Sequence, residues 1–263
     1  MSAQLAISET IAPLRADPVH TAVLFDIDGT LAPIVRHASD AHIPEDTRRL
    51  LIALAKRYGI VGCVSGRPAV VARQMVGIGS IAYVGNHGLE RLAPGAADVT
   101  LDRRVQSHTR RVHAFAEAAD TAEAQRLRLR LEDKGPIVAF HWRGAPDEEA
   151  ALAAVARIED DAHAAGLATH RGRKVLEIRP PVPIDKGRGI ALLLRRSHPA
   201  SGLYVGDDMT DLDAFRGLRD AVTGLAVCVA VSSDEASPEL LADADIVVEG
   251  TAGVRGLLVE LMR

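Results

Sequence analysis

The chain has 263 residues, 48% hydrophobic and 25% charged, a composition typical of a globular protein with room for one large domain or two modest ones. A net charge of −4 and an aromatic content of 3% disfavour nucleic-acid binding. The N-terminus lacks the order of a signal peptide, and the longest uncharged apolar stretch, residues 221–233, is too short to span a bilayer. We therefore expect a cytoplasmic protein without a membrane partner, in which Cys63 and Cys228 are reduced and buried.

The first informative stretch is a buried strand that ends in two acids. Residues 21–25 are apolar enough for the centre of a parallel sheet, and Asp26 and Asp28 follow directly. Unpaired carboxylates are costly to bury, and Gly29 permits a sharp turn. The acids therefore lie where the strand ends, the edge at which open α/β sheets bind ligands.

The next two predicted strands also end at polar residues. Residues 60–64 run into Ser65, Gly66 and Arg67, where the N–H groups of a starting helix favour an anion. Residues 81–84 run into a Gly-Asn-His-Gly turn. Three strand-then-helix or strand-then-turn units in succession predict a doubly wound parallel sheet.

The pattern changes between residues 97 and 181, which are rich in Arg and Ala. Helices alternate there with antiparallel strand pairs, which predicts a small α+β unit with its own sheet. The predicted elements are a helix at 102–120, strands at 127–132 and 136–142, a helix at 146–165, and strands at 168–170 and 175–178.

The remaining chain returns to the first pattern. A helix opens at Lys186, and a strand at 203–205 ends in Asp207, Asp208 and, three residues on, Asp211. The last clear strand is 225–231, and a helix at 251–262 closes the chain. The predicted fold is α/β: a doubly wound, Rossmann-like parallel-sheet core of residues 1–96 and 182–263, with an inserted α+β cap domain of residues 97–181.

The residues at these strand ends predict a metal-assisted reaction. Several carboxylates gathered at one edge repel each other unless a cation lies among them, and oxygen ligands suit Mg²⁺. A lysine and a serine beside that ion supply a point charge and a hydroxyl donor for a phosphoryl group. The residues concerned are Asp26, Asp28, Ser65, Lys186, Asp207, Asp208 and Asp211.

These residues carry a resemblance to a known superfamily. Residues 25–31, Phe-Asp-Ile-Asp-Gly-Thr-Leu, are similar to the first motif of the haloacid dehalogenase (HAD) superfamily of phosphatases, and Ser65, Lys186 and Asp207 stand where its next three motifs belong. Further stretches, from residue 31 to residue 215, resemble the trehalose-6-phosphate phosphatase family. They are Leu31-Ala32-Pro33-Ile34, Ser65-Gly66-Arg67, Gly85-Asn86-His87-Gly88 with Glu90, Glu132-Asp133-Lys134-Gly135 with His141 and Arg143, Lys174 with Glu177-Ile178-Arg179-Pro180, and Gly206-Asp207-Asp208-Met209-Thr210-Asp211 with Asp213-Ala214-Phe215.

The resemblance implies roles for the core residues. Asp26 would be the nucleophile that forms an aspartyl-phosphate, and Asp28 would be the general acid and base. Ser65, Gly66 and Lys186 would hold the phosphoryl oxygens, and Lys186 would also balance the charge of Asp26. Mg²⁺ would be held by Asp26, the Asp28 carbonyl and Asp207, with Asp208 or Asp211 close behind.

The resemblance also implies a set of substrate-binding residues. The residues alone leave alternatives open: Arg67 could be a surface cation of a helix start, His87 and Glu90 could serve the turn, and Lys134 could be a solvated hairpin tip. The implied substrate-binding residues are Arg67, Asn86, His87, Lys134, His141, Arg143, Glu177 and Arg179.

The implied function is Mg²⁺-dependent hydrolysis of trehalose 6-phosphate, with the cap closing over the core and a functional link to a trehalose-6-phosphate synthase. One rival keeps the chemistry and changes the substrate to another sugar phosphate, of the sucrose, mannosylglycerate or pseudo-disaccharide type. A second rival is a non-catalytic sugar-phosphate-binding module, which has no need of the Asp26 and Asp28 pair.

Overall fold

The computed structural model describes residues 3–35, 41–101, 103–172, 174–233 and 236–263. The chain divides into two compact units, a larger one of residues 1–100 and 184–263 and a smaller one of residues 101–183.

The larger unit is built on an eight-stranded sheet. The strand order is β12-β11-β10-β1-β2-β3-β4-β5, and every pairing from β12 to β3 is parallel, whereas β3 and β4 are antiparallel. The predicted doubly wound parallel sheet is confirmed, and the antiparallel pairing of β3 with β4 adds to it. The strands are β1 (Thr21–Phe25), β2 (Ile60–Val64), β3 (Ala82–Gly85), β4 (Glu90–Leu92), β5 (Thr100–Leu101), β10 (Ser201–Gly206), β11 (Ala226–Ser232) and β12 (Ile246–Glu249).

Helices cover both faces of this sheet. In β1, Val23 and Phe25 face one apolar core, and Ala22 and Leu24 face the other. The first core includes residues of α2, α3, α4 and α11, and the second includes residues of α8, α9 and α10. The helices are α1 (Ala3–Thr10), α2 (Ala12–Ala16), α3 (Glu45–Arg57), α4 (Ala69–Val76), α8 (Lys186–Leu194), α9 (Asp211–Ala221), α10 (Pro238–Asp243) and α11 (Gly250–Met262).

Two parts of the larger unit differ from the prediction. Residues 3–16, for which no strand or full helix is predicted, form two helices, and Ile11 and Leu14 are buried in the first core. The strand at 225–231 is not the last one, since β12 follows it. Only alternate residues of β12 are buried, and it is a four-residue edge strand, so its sequence signal is weak.

The smaller unit has a four-stranded antiparallel sheet of order β6-β7-β9-β8. Both predicted hairpins are present, although the first strand pair is shorter than expected. Asp102, where the first helix is predicted to start, and Arg173, between the second pair of strands, lie outside the described residues. The elements are α5 (Arg103–Ala119), α6 (Ala122–Arg126), β6 (Arg130–Asp133), β7 (Val138–His141), α7 (Glu148–Ala164), β8 (Ala168–Gly172) and β9 (Val175–Arg179).

One face of this smaller sheet carries its apolar core. Phe140, Leu176 and Ile178 pack there with residues of α5 and α7, and Trp142 belongs to the same cluster. Because side chains alternate along a strand, the residues between these point to the opposite face.

Both cysteines, Cys63 and Cys228, are free and buried, as expected. Across the described ranges, no helix combines the length and apolar composition that crossing a membrane requires.

Candidate active site

The site lies at the carboxyl ends of four neighbouring strands, β10, β1, β2 and β3. Asp26 follows β1 directly, and its backbone N–H donates to the Val205 carbonyl at 2.8 Å, which fixes it against β10. Lys186, the first residue of α8, donates from Nζ to Asp26 Oδ1 at 2.9 Å. Both side chains are buried, so this ion pair lies in the interior of the larger unit.

The turn after Asp26 makes room for the carboxylate of Asp207, the residue that follows β10. Gly29 has φ +83°, and a Cβ there would lie 1.9 Å from Asp207 Oδ2. Thr30 Oγ1 donates to Asp207 Oδ1 at 3.1 Å. The Asp-x-Asp-Gly-Thr sequence therefore positions a second acid, and a side chain at residue 29 would displace it.

Two further carboxylates, those of Asp208 and Asp211, lie next to the start of α9. Lys186 Nζ also donates to Asp211 Oδ1 at 2.7 Å and lies 3.8 Å from Asp208 Oδ1. Within the described part of the chain, one carboxylate oxygen each from Asp26, Asp207 and Asp211 lies within 4.8 Å of the others. Four acids thus surround one lysine, which leaves this centre with excess negative charge.

The excess charge appears in the pKa values. Burial raises the pKa of Asp26 well above its usual value, and Asp211 and Asp207 raise it further, although Lys186 opposes them. Burial and the neighbouring acids likewise raise the pKa of Asp207 to about 7. Burial alone would lower the pKa of Lys186, but Asp211 and Asp26 raise it well above its usual value, so the amine stays charged.

Asp28 has a different partner. Arg67, from the loop after β2, donates from Nε to Asp28 Oδ2 and from the terminal Nη2 to Oδ1, both at 2.7 Å. This bidentate geometry fixes the carboxylate plane as well as its position. Arg67 therefore pairs with Asp28 and does not extend into solvent as a surface cation.

The loops after β2 and β3 support each other. Ser65 Oγ accepts from the Arg67 backbone N–H at 3.1 Å, so its own O–H remains available to donate. The His87 backbone N–H donates to the Ser65 carbonyl at 3.1 Å. A Cβ on Gly66 would lie 2.7 Å from the His87 ring, so only glycine allows this contact.

Asn86 and His87 occupy an unusual backbone conformation, with φ +47° and +55°. Asn86 Nδ2 donates to Glu90 Oε1 at 2.8 Å, and Glu90 Oε2 accepts the Ala69 N–H at 2.7 Å, at the start of α4. Glu90 thus joins the turn to the helix that follows Ser65. Both of these contacts support the turn, which is one of the two alternatives that the sequence leaves open for Glu90.

In the smaller unit, Glu177 binds two of the predicted residues. Lys134 Nζ donates to Glu177 Oε1 at 2.9 Å, and Arg179 donates to Oε2 from Nε at 2.9 Å and from Nη2 at 2.6 Å. Lys134 is therefore not a free, solvated hairpin tip. Glu132, Ala139, Glu177 and His170 are in register across the four strands and share the face opposite the apolar core.

His141 lies on the same polar face and bonds to Glu132, with 2.5 Å between Nε2 and Oε2. That hydrogen bond is the main reason why the pKa of Glu132 is lowered. Arg143 follows two residues later and is exposed. The polar face is thus a network in which each acid has a basic partner.

Two residues that bind the acids of the site, Thr30 and Tyr204, are not among the predicted site residues. Thr30 holds Asp207, and the hydroxyl of buried Tyr204 donates to Asp211 Oδ1 at 2.6 Å. A tyrosine within the aliphatic strand 203–205 is a usable signal, since a buried phenol needs a hydrogen-bond partner. The identity of that partner depends on the three-dimensional structure.

The larger unit has a haloacid dehalogenase-like fold. Acids follow β1 and β10 of its sheet, a serine follows β2, and a lysine begins α8. A solved structure described as a trehalose-6-phosphate phosphatase related protein has the same fold, with a TM-score of 0.73 and 22% identity over 92% of this chain and 97% of that one. The profile described as Trehalose-phosphatase matches residues 24–245, and the chain belongs to that family.

Two curated relatives are similar to most of this chain. A trehalose-phosphate phosphatase of Mycobacterium tuberculosis is 35% identical over 208 residues, 74% of this chain and 50% of the relative. A protein of the same organism named as an uncharacterized glycosyl hydrolase is 33% identical over 222 residues, 78% of this chain and 16% of its own length. The chain thus spans half or less of the length of these two relatives.

Proposed function

We propose that the chain hydrolyses trehalose 6-phosphate to trehalose and phosphate. The observation that carries the proposal is the buried Asp26–Lys186 pair, with the Arg67-bound Asp28 two residues beyond the nucleophile. A carboxylate held against an ammonium group can approach a phosphate dianion with less repulsion. Membership of the trehalose-phosphatase family supports the choice of sugar.

In the first step, an Asp26 oxygen attacks phosphorus in line with the sugar oxygen. The bond from phosphorus to O6 of the sugar breaks. Asp28, which in this step carries a proton in place of one of its two Arg67 contacts, gives that proton to O6. Trehalose leaves, and the phosphoryl group remains on Asp26. In the second step, Asp28 takes a proton from water, the water oxygen attacks phosphorus, and the Asp26 carboxylate is released with inorganic phosphate.

The phosphoryl oxygens would be held by this chain's own donors. Ser65 offers its O–H, Gly66 its backbone N–H, and Lys186 its ammonium group. Arg67 would orient Asp28 between the two proton transfers, while Asn86 and His87 shape the adjoining turn. The contacts in the loops after β2 and β3 and the Lys186 contact with Asp26 support these roles.

The acid cluster fits a divalent cation. Oxygens of Asp26, Asp207 and Asp211 lie within 4.8 Å of one another, they are buried, and Lys186 balances one charge. All are hard oxygen donors, as Mg²⁺ prefers. We propose that Asp26, the Asp28 carbonyl and Asp207 hold Mg²⁺, with Asp208 and Asp211 beside them. Bound there, the ion would offset charge on the transferring phosphoryl group.

The polar face of the smaller unit would recognise the sugar, which gives residues 97–181 the role of a cap domain. Lys134 and Arg179 are both held by Glu177. Side chains fixed in this way offer oriented donors and acceptors to the hydroxyl groups of a sugar. His141 and Arg143 extend this set. The substrate of such an enzyme would be supplied by a trehalose-6-phosphate synthase.

The test is phosphate release, with Mg²⁺, from trehalose 6-phosphate beside sucrose 6-phosphate, glucose 6-phosphate and mannosylglycerate phosphate. We expect a preference for trehalose 6-phosphate that Asp26→Asn abolishes. A preference for another substrate would contradict the sugar assignment and keep the chemistry. Release from none of them, with trehalose 6-phosphate still bound, would contradict the proposed activity.

A further inference from the structure

Tyr204 places a phenolic hydroxyl in the charged centre, where the proposed chemistry gives it no task. The residue lies in the middle of β10 and is fully buried. Its hydroxyl donates to Asp211 Oδ1 at 2.6 Å, and the same oxygen accepts from Lys186 Nζ at 2.7 Å. The hydroxyl and the ammonium group therefore share one acceptor atom.

The other oxygen of Asp211 is also fully used. Oδ2 accepts the backbone N–H groups of Asp207 at 2.9 Å and Asp208 at 3.0 Å. A carboxylate has about four lone-pair sites, and these two contacts with those of Lys186 and Tyr204 account for all four. Asp211 thus connects the strand, the loop after it and the lysine.

The surroundings leave the Tyr204 hydroxyl little freedom. The ring packs edge-on against Phe215, with 6.1 Å between ring centroids and 78° between planes, and Phe215 lies one turn after Asp211 in α9. A Cβ on Gly206 would lie 2.2 Å from Asp211 Cγ, so the carboxylate rests against bare backbone. Together with the two N–H groups on Oδ2, the hydroxyl therefore restrains the rotation of the Asp211 carboxylate.

We propose that Tyr204 is a positioning residue for phosphoryl transfer, which acts through Asp211 to hold the Lys186 ammonium group against Asp26. The proposal rests on the function proposed above. Lys186 is shared between Asp26 at 2.9 Å and Asp211 at 2.7 Å. The hydrogen bond from Tyr204 occupies one lone pair of Asp211 Oδ1 and restrains the rotation of the Asp211 carboxylate. Without it, the freed oxygen draws the ammonium group away from the nucleophile.

The experiment compares Tyr204→Phe with Tyr83→Phe. Tyr83, in β3 of the same sheet, is equally buried and donates its hydroxyl to the Ile78 carbonyl at 2.5 Å, so its variant also loses one buried hydrogen bond. Melting temperature, kcat and KM are measured for both, with trehalose 6-phosphate and with p-nitrophenyl phosphate. A crystal structure of Tyr204→Phe reports the position of Lys186 Nζ.

We expect Tyr204→Phe to lower kcat about tenfold on both substrates with KM within about twofold, because a displaced Lys186 stabilises the transition state less while substrate binding is unchanged. Tyr83→Phe should lower the melting temperature to a similar extent and leave kcat unchanged. In the crystal structure, Lys186 Nζ should no longer bond to Asp26 Oδ1.

An unchanged kcat in Tyr204→Phe, or equal losses of kcat in both variants, would overturn the proposal. A crystal structure of Tyr204→Phe in which Lys186 keeps its bond to Asp26 would do so as well. If the unmutated protein releases no phosphate from either substrate, the proposed function fails, and the crystal structure alone then decides whether Tyr204 positions Lys186.

Discussion

The two units arrange buried charge in opposite ways. In the larger unit, Asp26, Asp207, Asp208 and Asp211 surround one lysine, and the pKa values of Asp26 and Asp207 are raised. In the smaller unit, Glu177 has two basic partners. Unbalanced acids predict a bound cation and a charged reaction centre. Balanced pairs suit the recognition of a neutral, hydroxyl-rich group, because they need no counter-ion.

The largest effect is expected at the unbalanced centre. Asp26→Asn keeps the shape of the side chain and removes the nucleophile, so phosphate release should fall by about a thousandfold or more. Initial rates on trehalose 6-phosphate measure this. The matched control is Asp213→Asn, a half-exposed acid of α9 that pairs with Arg216. Comparable losses in the two variants would contradict a special role for Asp26.

The next effect concerns the bidentate pair at Asp28. Arg67→Lys keeps the charge but loses the bidentate guanidinium contact that fixes the plane of the Asp28 carboxylate. We therefore expect kcat to fall about tenfold to a hundredfold. The loss should be smaller with p-nitrophenyl phosphate, whose leaving group needs little protonation. Equal losses on both substrates would show that Arg67 does not act through the general acid.

A smaller effect is expected in the balanced unit. Glu177→Gln weakens the contacts with Lys134 and Arg179, so KM for trehalose 6-phosphate should rise about tenfold. Hydrolysis of p-nitrophenyl phosphate should stay unchanged, since it carries no sugar. Glu123→Gln, in an exposed pair with Arg157, is the control and should behave as the unmutated protein. A loss on both substrates would point to a structural role for Glu177.

The smallest effect is a dependence of stability on pH. The folded-state pKa of Asp207 is raised from 3.8 to about 7, chiefly by burial and then by its acidic neighbours. The folded protein therefore binds more protons than the unfolded chain between these values, so without metal the free energy of unfolding decreases as the pH rises through this window. Glu132 makes the opposite contribution to this pH dependence. Its pKa is lowered in the folded state, so it stabilises the fold at pH values above its unfolded-state pKa, and this stabilisation is lost as the pH falls.

Melting temperatures in EDTA at pH 5, 6, 7 and 8 measure this dependence. We expect a fall of a few degrees from pH 5 to pH 8. Mg²⁺ should raise the melting temperature more at pH 8 than at pH 5, because the site is then ionised. Asp207→Asn should flatten the slope in EDTA. A melting temperature that rises through this range in EDTA would contradict the account of the unbalanced centre.

The sequence predicts the parts of the site that depend on strand ends. Asp26, Ser65 and Asp207 each follow an apolar run, and parallel strands bring such ends to one edge. The strand Ile60–Val64 has the predicted bounds. The parts that escape prediction depend on side-chain direction between distant segments, such as the pairing of Arg67 with Asp28. The edge strand Ile246–Glu249 is missed because half of it faces solvent.

In the proposed mechanism, Asp26 becomes phosphorylated and Asp28 is needed to release the phosphate. Asp28→Asn should form the intermediate from p-nitrophenyl phosphate, whose leaving group needs no general acid, and should hydrolyse it slowly for lack of a base. Acid quenching in the first turnover, followed by peptide mass spectrometry, should find one phosphoryl group on Asp26 that hydroxylamine removes. Steady phosphate release with no modified Asp26, or a phosphoryl group on another residue, would contradict the account.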